Sequence, residues 1–371
     1  MERYVKEDTD WLSLLRGLNF VFIMFCHFEY QAFDYAYGTC IQAQWQRGEG
    51  FLQTLLLGLW GKYFFAMMCL VSGAVTAIQV VQGKAGKPLQ FMVKRYIRMQ
   101  LPAFVMGLVF ILTDLLTYRR YTWSMILRGL FVLGSKVFDD HLFALIDFYI
   151  GGLVVYLVFY FLPDKRKLRV LILSLIGLGG FLWLGGQNRE EMWIFPTILG
   201  GVLYEILQFI GRWEEDHGRM LTADSAKTEW NKKRLLWLIF FIPVVFFRRG
   251  HESYIMYWRD TLCWLVTMPV MRLTGFHLIL NRIYKRPWVK GIDRMGFSIF
   301  CVHGWINTYI VATLMRLYRA ELPGNLVFPY IVGFMTLIVL TNWGARFMYR
   351  YVEQGLYKKI IGKLYPKNNQ I

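Results

Sequence analysis

The sequence predicts an all-α fold: a polytopic transmembrane helix bundle of about ten spans, with both termini in the cytoplasm. Three observations carry that prediction. First, 56% of the 371 residues are hydrophobic and only 18% are charged, where a soluble domain carries about 25% charged residues. Second, apolar runs of spanning length recur along the chain. Third, Lys and Arg are distributed unevenly between the segments that join those runs.

Runs of roughly 17–25 apolar residues are long enough to cross a bilayer as helices. They fall roughly at 12–31, 52–81, 101–117, 142–162, 169–185, 193–211, 235–247, 261–280, 297–315 and 325–344. The second is overlong and interrupted by Lys62, so it reads as broken or as starting outside the bilayer. The seventh is short. Aromatic residues make up 18% of the chain, in keeping with Trp and Tyr belts at the two membrane interfaces.

Of the 42 Lys and Arg residues, 28 lie on the N-terminal side of the expected bundle, in segments 1–11, 82–100, 163–169, 212–234, 281–296 and 345–371. Eleven lie on the opposite side and three, Arg16, Lys62 and Arg272, lie inside spans. Positive charge is retained on the cytoplasmic side, which places both termini there. The same distribution argues against nucleic-acid binding despite the formal net charge of +17, because the charge is spread over short loops. The sequence reads as a single membrane domain over 1–371, with one polar cytoplasmic loop at about 212–234.

Five cysteines, Cys26, Cys40, Cys69, Cys263 and Cys301, lie far apart. Their spacing suggests neither a disulfide framework nor a metal site. The first ten residues are polar and acidic, without the basic start of a secretory signal, so the first apolar run reads as a retained span.

Arg16 and His27 lie within that first span. Ionisable groups at such a depth are costly and point to function. Eleven residues of helix amount to three turns plus roughly 20°, so both share one face, about 16 Å apart along the axis. A fixed positive charge at one end suits an anionic ligand, and an imidazole at the other can take a proton near neutral pH. After the second span, Arg95 and Arg98 are three residues apart and share a helix face. Two guanidiniums there suit a phosphate or carboxylate clamp. With Lys94 beside them, they also suit a flank that binds the headgroups of membrane lipids.

Glu29 and Asp34 follow His27 closely, as candidates to orient an imidazole or bind a sugar hydroxyl. Glu29 is roughly 200° round the helix from His27, so it reaches the same face only if the helix ends there. Asp139, Asp140 and His141 cluster at the expected far end of the fourth span, either lining an entrance or capping a helix from solvent.

These residues, taken in order, resemble the acyltransferase-3 membrane proteins, which include bacterial O-acetyltransferases of cell-surface polysaccharides. The resemblance rests on Arg16, ten residues, then His27; on Arg95-x-x-Arg98 after the second span; and on Phe64-Phe65 leading to Ser72-Gly73. It extends to Gly296-x-Ser298 leading to His303 in a late span, and to Tyr351-x-Glu353 near the end. The sequence is expected to carry no appended soluble esterase-like domain. The resemblance implies acyl-CoA, most often acetyl-CoA, as co-substrate, with no permanently bound cofactor or metal. It implies a hydroxyl of a glycan or lipid-linked glycan as acceptor, and a place in a bacterial plasma membrane. By that resemblance Arg16, Arg95 and Arg98 would bind the coenzyme. His27 would act as general base or as an acyl relay, and His303 would face the acceptor. The rival expectation is a transporter or flippase of an acyl group or glycan intermediate, since buried Arg and His also suit a transport pathway. Broken helices in matching positions would favour it.

Overall fold

The computed structural model describes residues 9–28, 32, 60–116, 121–135, 137, 144–184, 193–217, 254–322 and 327–366. The described residues are mostly helical and contain no strand. In chain order the helices are α1 (Asp10–His27), α2 (Trp60–Val81), α3 (Pro88–Leu116), α4 (Trp123–Phe131), α5 (Ala144–Phe161), α6 (Arg166–Leu184), α7 (Ile194–Asp216), α8 (Tyr254–Leu273), α9 (Phe276–Tyr284), α10 (Pro287–Trp305), α11 (Ala312–Glu321), α12 (Val327–Phe347) and α13 (Tyr357–Leu364). Wider π-helical turns follow α10 at Ile306–Val311 and α12 at Met348–Leu356.

Among the described residues, six helices are long and apolar enough to cross a membrane: Phe64–Val81, Pro88–Leu116, Ala144–Phe161, Ile194–Asp216, Pro287–Glu321 and Val327–Leu364. A seventh crossing is possible if α8 and α9 act together, with a bend of 89° between them. The expected span at 261–280 is therefore two helices that meet at a corner. Thr274 and Gly275 form that corner, with Gly275 at φ 73, a left-handed conformation that glycine adopts without steric cost. The expected spans at 12–31 and 169–185 correspond to α1 and α6, which fall outside those six crossings. The expected span at 235–247 and residues 218–234 of the expected loop lie outside the described residues, as do Glu29, Asp34, Cys40 and Asp139–His141, while 212–216, expected as loop, continue α7.

The chain forms two compact units whose segments alternate in sequence. The first comprises Met1–Asn19, Ala43–Pro88 and Ile150–Asp293. At its centre α2 and α7 approach closely. A Cβ on Gly73 would lie 1.9 Å from the Thr197 carbonyl oxygen, and one on Gly200 would lie 2.1 Å from that of Leu70. Small residues allow such backbone contact between membrane helices. Lateral dispersion, not the exclusion of water, then holds the helices together. Charges inside this unit are paired: Arg166 and Arg169 both bind Glu205, at 2.8 Å and 2.5 Å, and Arg272 binds Glu214 at 3.2 Å.

The second unit comprises Phe20–Gln42, Leu89–Tyr149 and Arg294–Ile371. Its α3 carries an internal proline, Pro102, which membrane helices accommodate by local adjustment. The hydroxyl of Thr122 caps α4 by accepting from the Met125 amide at 3.3 Å. Phe28 meets Tyr330 and Phe334 from α12, with ring centroids 5.2 Å and 5.5 Å apart.

Candidate functional site

Within the second unit, the end of α1 meets α10. His27 Nδ1 and His303 Nε2 are 2.6 Å apart, with the rings nearly parallel. His303 is fully buried, and its Nδ1 lies 3.1 Å from the Ile299 carbonyl oxygen. That oxygen can only accept, so in the neutral pair His303 carries its proton on Nδ1 and its Nε2 is an acceptor. His27 must then donate from Nδ1, which leaves the lone pair of the neutral ring on His27 Nε2. The order Ile299 carbonyl, His303, His27 is that of a base held by an orienting partner.

Local sequence explains why these groups meet. Gly296 faces Phe20 so closely that a Cβ would lie 2.3 Å from the ring, so the glycine allows α10 to approach α1. The π-helical turn after α10 brings Asn307 round, and its amide donates to the His27 carbonyl at 2.8 Å. Such turns recur at functional sites. Ser298, five residues before His303 on α10, donates to the Glu353 carboxylate in the second π-helical turn.

Glu353 also lines a pocket of about 180 Å³, together with Arg98, Pro102, Gln354, Tyr357 and Lys358. The C-terminal segment thus joins the Arg-x-x-Arg segment. The Tyr357 hydroxyl donates to the Lys94 carbonyl at 3.4 Å, and Lys94 lies 5.3 Å from the Tyr365 ring centroid. Arg95 and Arg98 have different surroundings. Arg95 donates to the Phe148 carbonyl at 2.8 Å and lies 5.7 Å from the Phe91 ring centroid. Arg98 is exposed at the pocket. The two therefore do not converge on one ligand position.

A further polar cluster occupies the end of α3. Asp114 is buried and accepts from the hydroxyls of Tyr121 and Tyr309. The neighbouring Thr113 hydroxyl accepts from the Trp305 indole at 3.0 Å.

In the first unit, Arg16 binds Asp293 through Nε at 3.0 Å and Nη2 at 2.7 Å. The other oxygen of Asp293 accepts from the Tyr284 hydroxyl at 2.8 Å. Gly17 makes room for this, since a Cβ there would lie 3.1 Å from the Asp293 Cα. Arg16 is thus held by a protein carboxylate. Sequence reasoning gave no role to Asp293, Asn307, Gln354, Tyr357 or Lys358. Asp293 was open to suspicion as an acid near an apolar run. The others carry no signal until the chain is folded. Among the described residues, no group of three or more His, Cys, Asp or Glu could hold a metal ion.

Comparison with protein-family models, curated proteins and solved structures finds no match to this chain.

Proposed function

We propose that this chain is a membrane-bound O-acyltransferase that moves an acyl group, most simply acetyl, from acyl-CoA to a hydroxyl of a cell-surface or lipid-linked glycan. The observation that carries the reading is the 2.6 Å contact between His27 and His303. The tautomer fixed by Ile299 supplies a base on His27 Nε2. That nitrogen takes the acceptor hydroxyl's proton as the oxygen attacks the thioester carbonyl. The tetrahedral intermediate collapses, the carbon–sulfur bond breaks, and His27 returns the proton to the departing thiolate. His303 holds the ring and stabilises the imidazolium. An acyl-histidine relay uses the same nitrogen as nucleophile.

Arg98 and Lys358, at their pocket, suit the anionic end of the coenzyme. Positive-inside counting puts this pocket on the cytoplasmic face of a ten-span bundle with both termini cytoplasmic. In this reading the protein resides in a bacterial plasma membrane. Arg16 and Arg95 enter the proposal on the strength of the resemblance alone, and Glu29 and Asp34 by their nearness to His27 in the sequence.

A second reading, transport of an acyl group or glycan intermediate without chemistry, calls for broken helices in matching positions, of which the 89° break between α8 and α9 supplies one. Membranes supplied with radiolabelled acetyl-CoA separate the two. In the transferase reading, label appears in envelope glycan and His27→Ala abolishes its appearance at normal protein levels. A His27→Ala protein that still transfers label sinks the transferase reading.

A further inference from the structure

The pocket beside Arg98 contains more than an anion clamp needs. Two of its lining residues, Arg98 and Lys358, are exposed cations. A third, Glu353, is a carboxylate only 6% exposed. A carboxylate beneath a phosphate site repels the ligand unless it meets a hydrogen-bond donor. Ser298 fixes this carboxylate by donating to Oε1, so its position is set before any ligand arrives. Tyr357 and Gln354 add a ring and a planar amide to the wall. The volume of about 180 Å³ is below the roughly 300–1,000 Å³ of sites that enclose a drug-sized ligand. It suits one end of a larger molecule.

We infer that Arg98, Lys358 and Glu353 form a two-part site, in which the cations take a phosphate and Glu353 accepts a hydrogen bond from an N–H group of the same ligand. On the acyl-CoA reading proposed above, on which this identification rests, the ligand is the adenosine-phosphate end of the coenzyme. Its ribose phosphate meets Arg98 and Lys358, its base lies along Tyr357, and its exocyclic amine donates to Glu353. The amine of a phosphoethanolamine lipid headgroup offers the same pairing of charges, so the test separates the two.

The experiment uses detergent-purified full-length protein. It measures equilibrium binding of acetyl-CoA and of an analogue whose purine carries hydrogen in place of the amine. Wild type is expected to prefer acetyl-CoA by about tenfold or more, since a site built for a donor discriminates against a ligand lacking it. Glu353→Met, of similar length but without an acceptor, brings that ratio close to one. Glu353→Gln, which keeps a carbonyl oxygen, retains most of it. A merely structural role for Glu353 would weaken both ligands in proportion and leave the ratio unchanged, and that result overturns the proposal. Equal binding of the two ligands by wild type overturns the Glu353 assignment while the acyl-CoA reading stands. Absence of binding by either ligand overturns both. The measurement is repeated in nanodiscs of phosphatidylglycerol with and without phosphatidylethanolamine. Unchanged acetyl-CoA affinity is expected, and displacement of the coenzyme by phosphatidylethanolamine overturns the nucleotide assignment.

Discussion

His27 Nδ1 and His303 Nε2 lie 2.6 Å apart, and the Ile299 carbonyl, 3.1 Å from the other nitrogen of His303, assigns the acceptor role in the neutral pair to His303 Nε2. Two imidazoles in contact are otherwise ambiguous, since either ring can donate. A single backbone oxygen removes the ambiguity and places the basic nitrogen of the pair on the ring contributed by α1.

That direction gives the first prediction. His27→Ala should reduce acetyl transfer by about 10²–10⁴-fold, the usual worth of a positioned base. His303→Leu should cost nearly as much by releasing the ring. His303→Gln, whose carbonyl oxygen can accept from His27, should recover part of the loss. The measurement is the initial rate of label transfer at saturating acetyl-CoA, normalised to protein in the membrane. Equal activity of the Leu and Gln variants would contradict the assigned direction.

The two arginines of the Arg-x-x-Arg segment should behave differently. Arg98→Ala removes an exposed charge from the pocket and should raise the KM for acetyl-CoA about tenfold or more, with Tm nearly unchanged. Arg95→Ala removes the donor to the Phe148 carbonyl. Loss of a hydrogen bond from a charged group costs about 1.5–3 kcal/mol, so this variant should show lower Tm and lower yield. Thermal melts and donor titrations on the same preparations check both.

Arg16 and Asp293 should couple. The Arg16 side chain is 31% exposed and that of Asp293 is 7% exposed, so the pair lies between the surface and buried extremes. Asp293→Ala should destabilise by about 1–3 kcal/mol, less than the roughly 3–5 kcal/mol of a fully buried broken pair. In a double-mutant cycle with Arg16→Ala, the second substitution should cost much less than it does alone. Additive losses would mean that the contact is not energetically relevant.

Close approach of α2 and α7 makes Gly73 and Gly200 intolerant. Gly73→Val places branched carbon where the Thr197 carbonyl lies 1.9 Å from the Cβ position. The helices must separate, and the variant should fail to accumulate as folded protein. Gly179→Ala, with nothing within 4 Å of its Cβ position, should accumulate normally. Detergent size-exclusion profiles of fluorescently tagged variants read this directly.

Topology can be tested without activity. Lys165 lies in a segment dense with positive charge, between α5 and α6. A cysteine placed there, in a background without the five native cysteines, should react with an impermeant thiol reagent only from the cytoplasmic side. Labelling from outside would reverse the assigned orientation.

The sequence by itself determined the helical membrane class, because hydrophobicity and run length are properties of the chain that need no partners. It also singled out Arg16, His27, Arg95 and Arg98, since a charge or imidazole near an apolar run is conspicuous wherever the run ends up, and His303 through the resemblance. The starts of α1, α5, α6, α7 and α12 were legible to within about three residues for the same reason, whereas α3 and α10 begin well before the expected spans. The corner between α8 and α9 was not, because one left-handed glycine within an apolar run leaves hydropathy unchanged. Only the tertiary structure decided which groups share a location. His27 and His303 are 276 residues apart, and no periodicity relates them. The partner of Arg16 is Asp293, again on a distant helix. Arg95 and Arg98 have nearly the same place in sequence, yet one is held by a carbonyl and the other lines a pocket with the C-terminal segment. A helix face spans a wide angle, and only the neighbours packed against it determine what each side chain on that face meets.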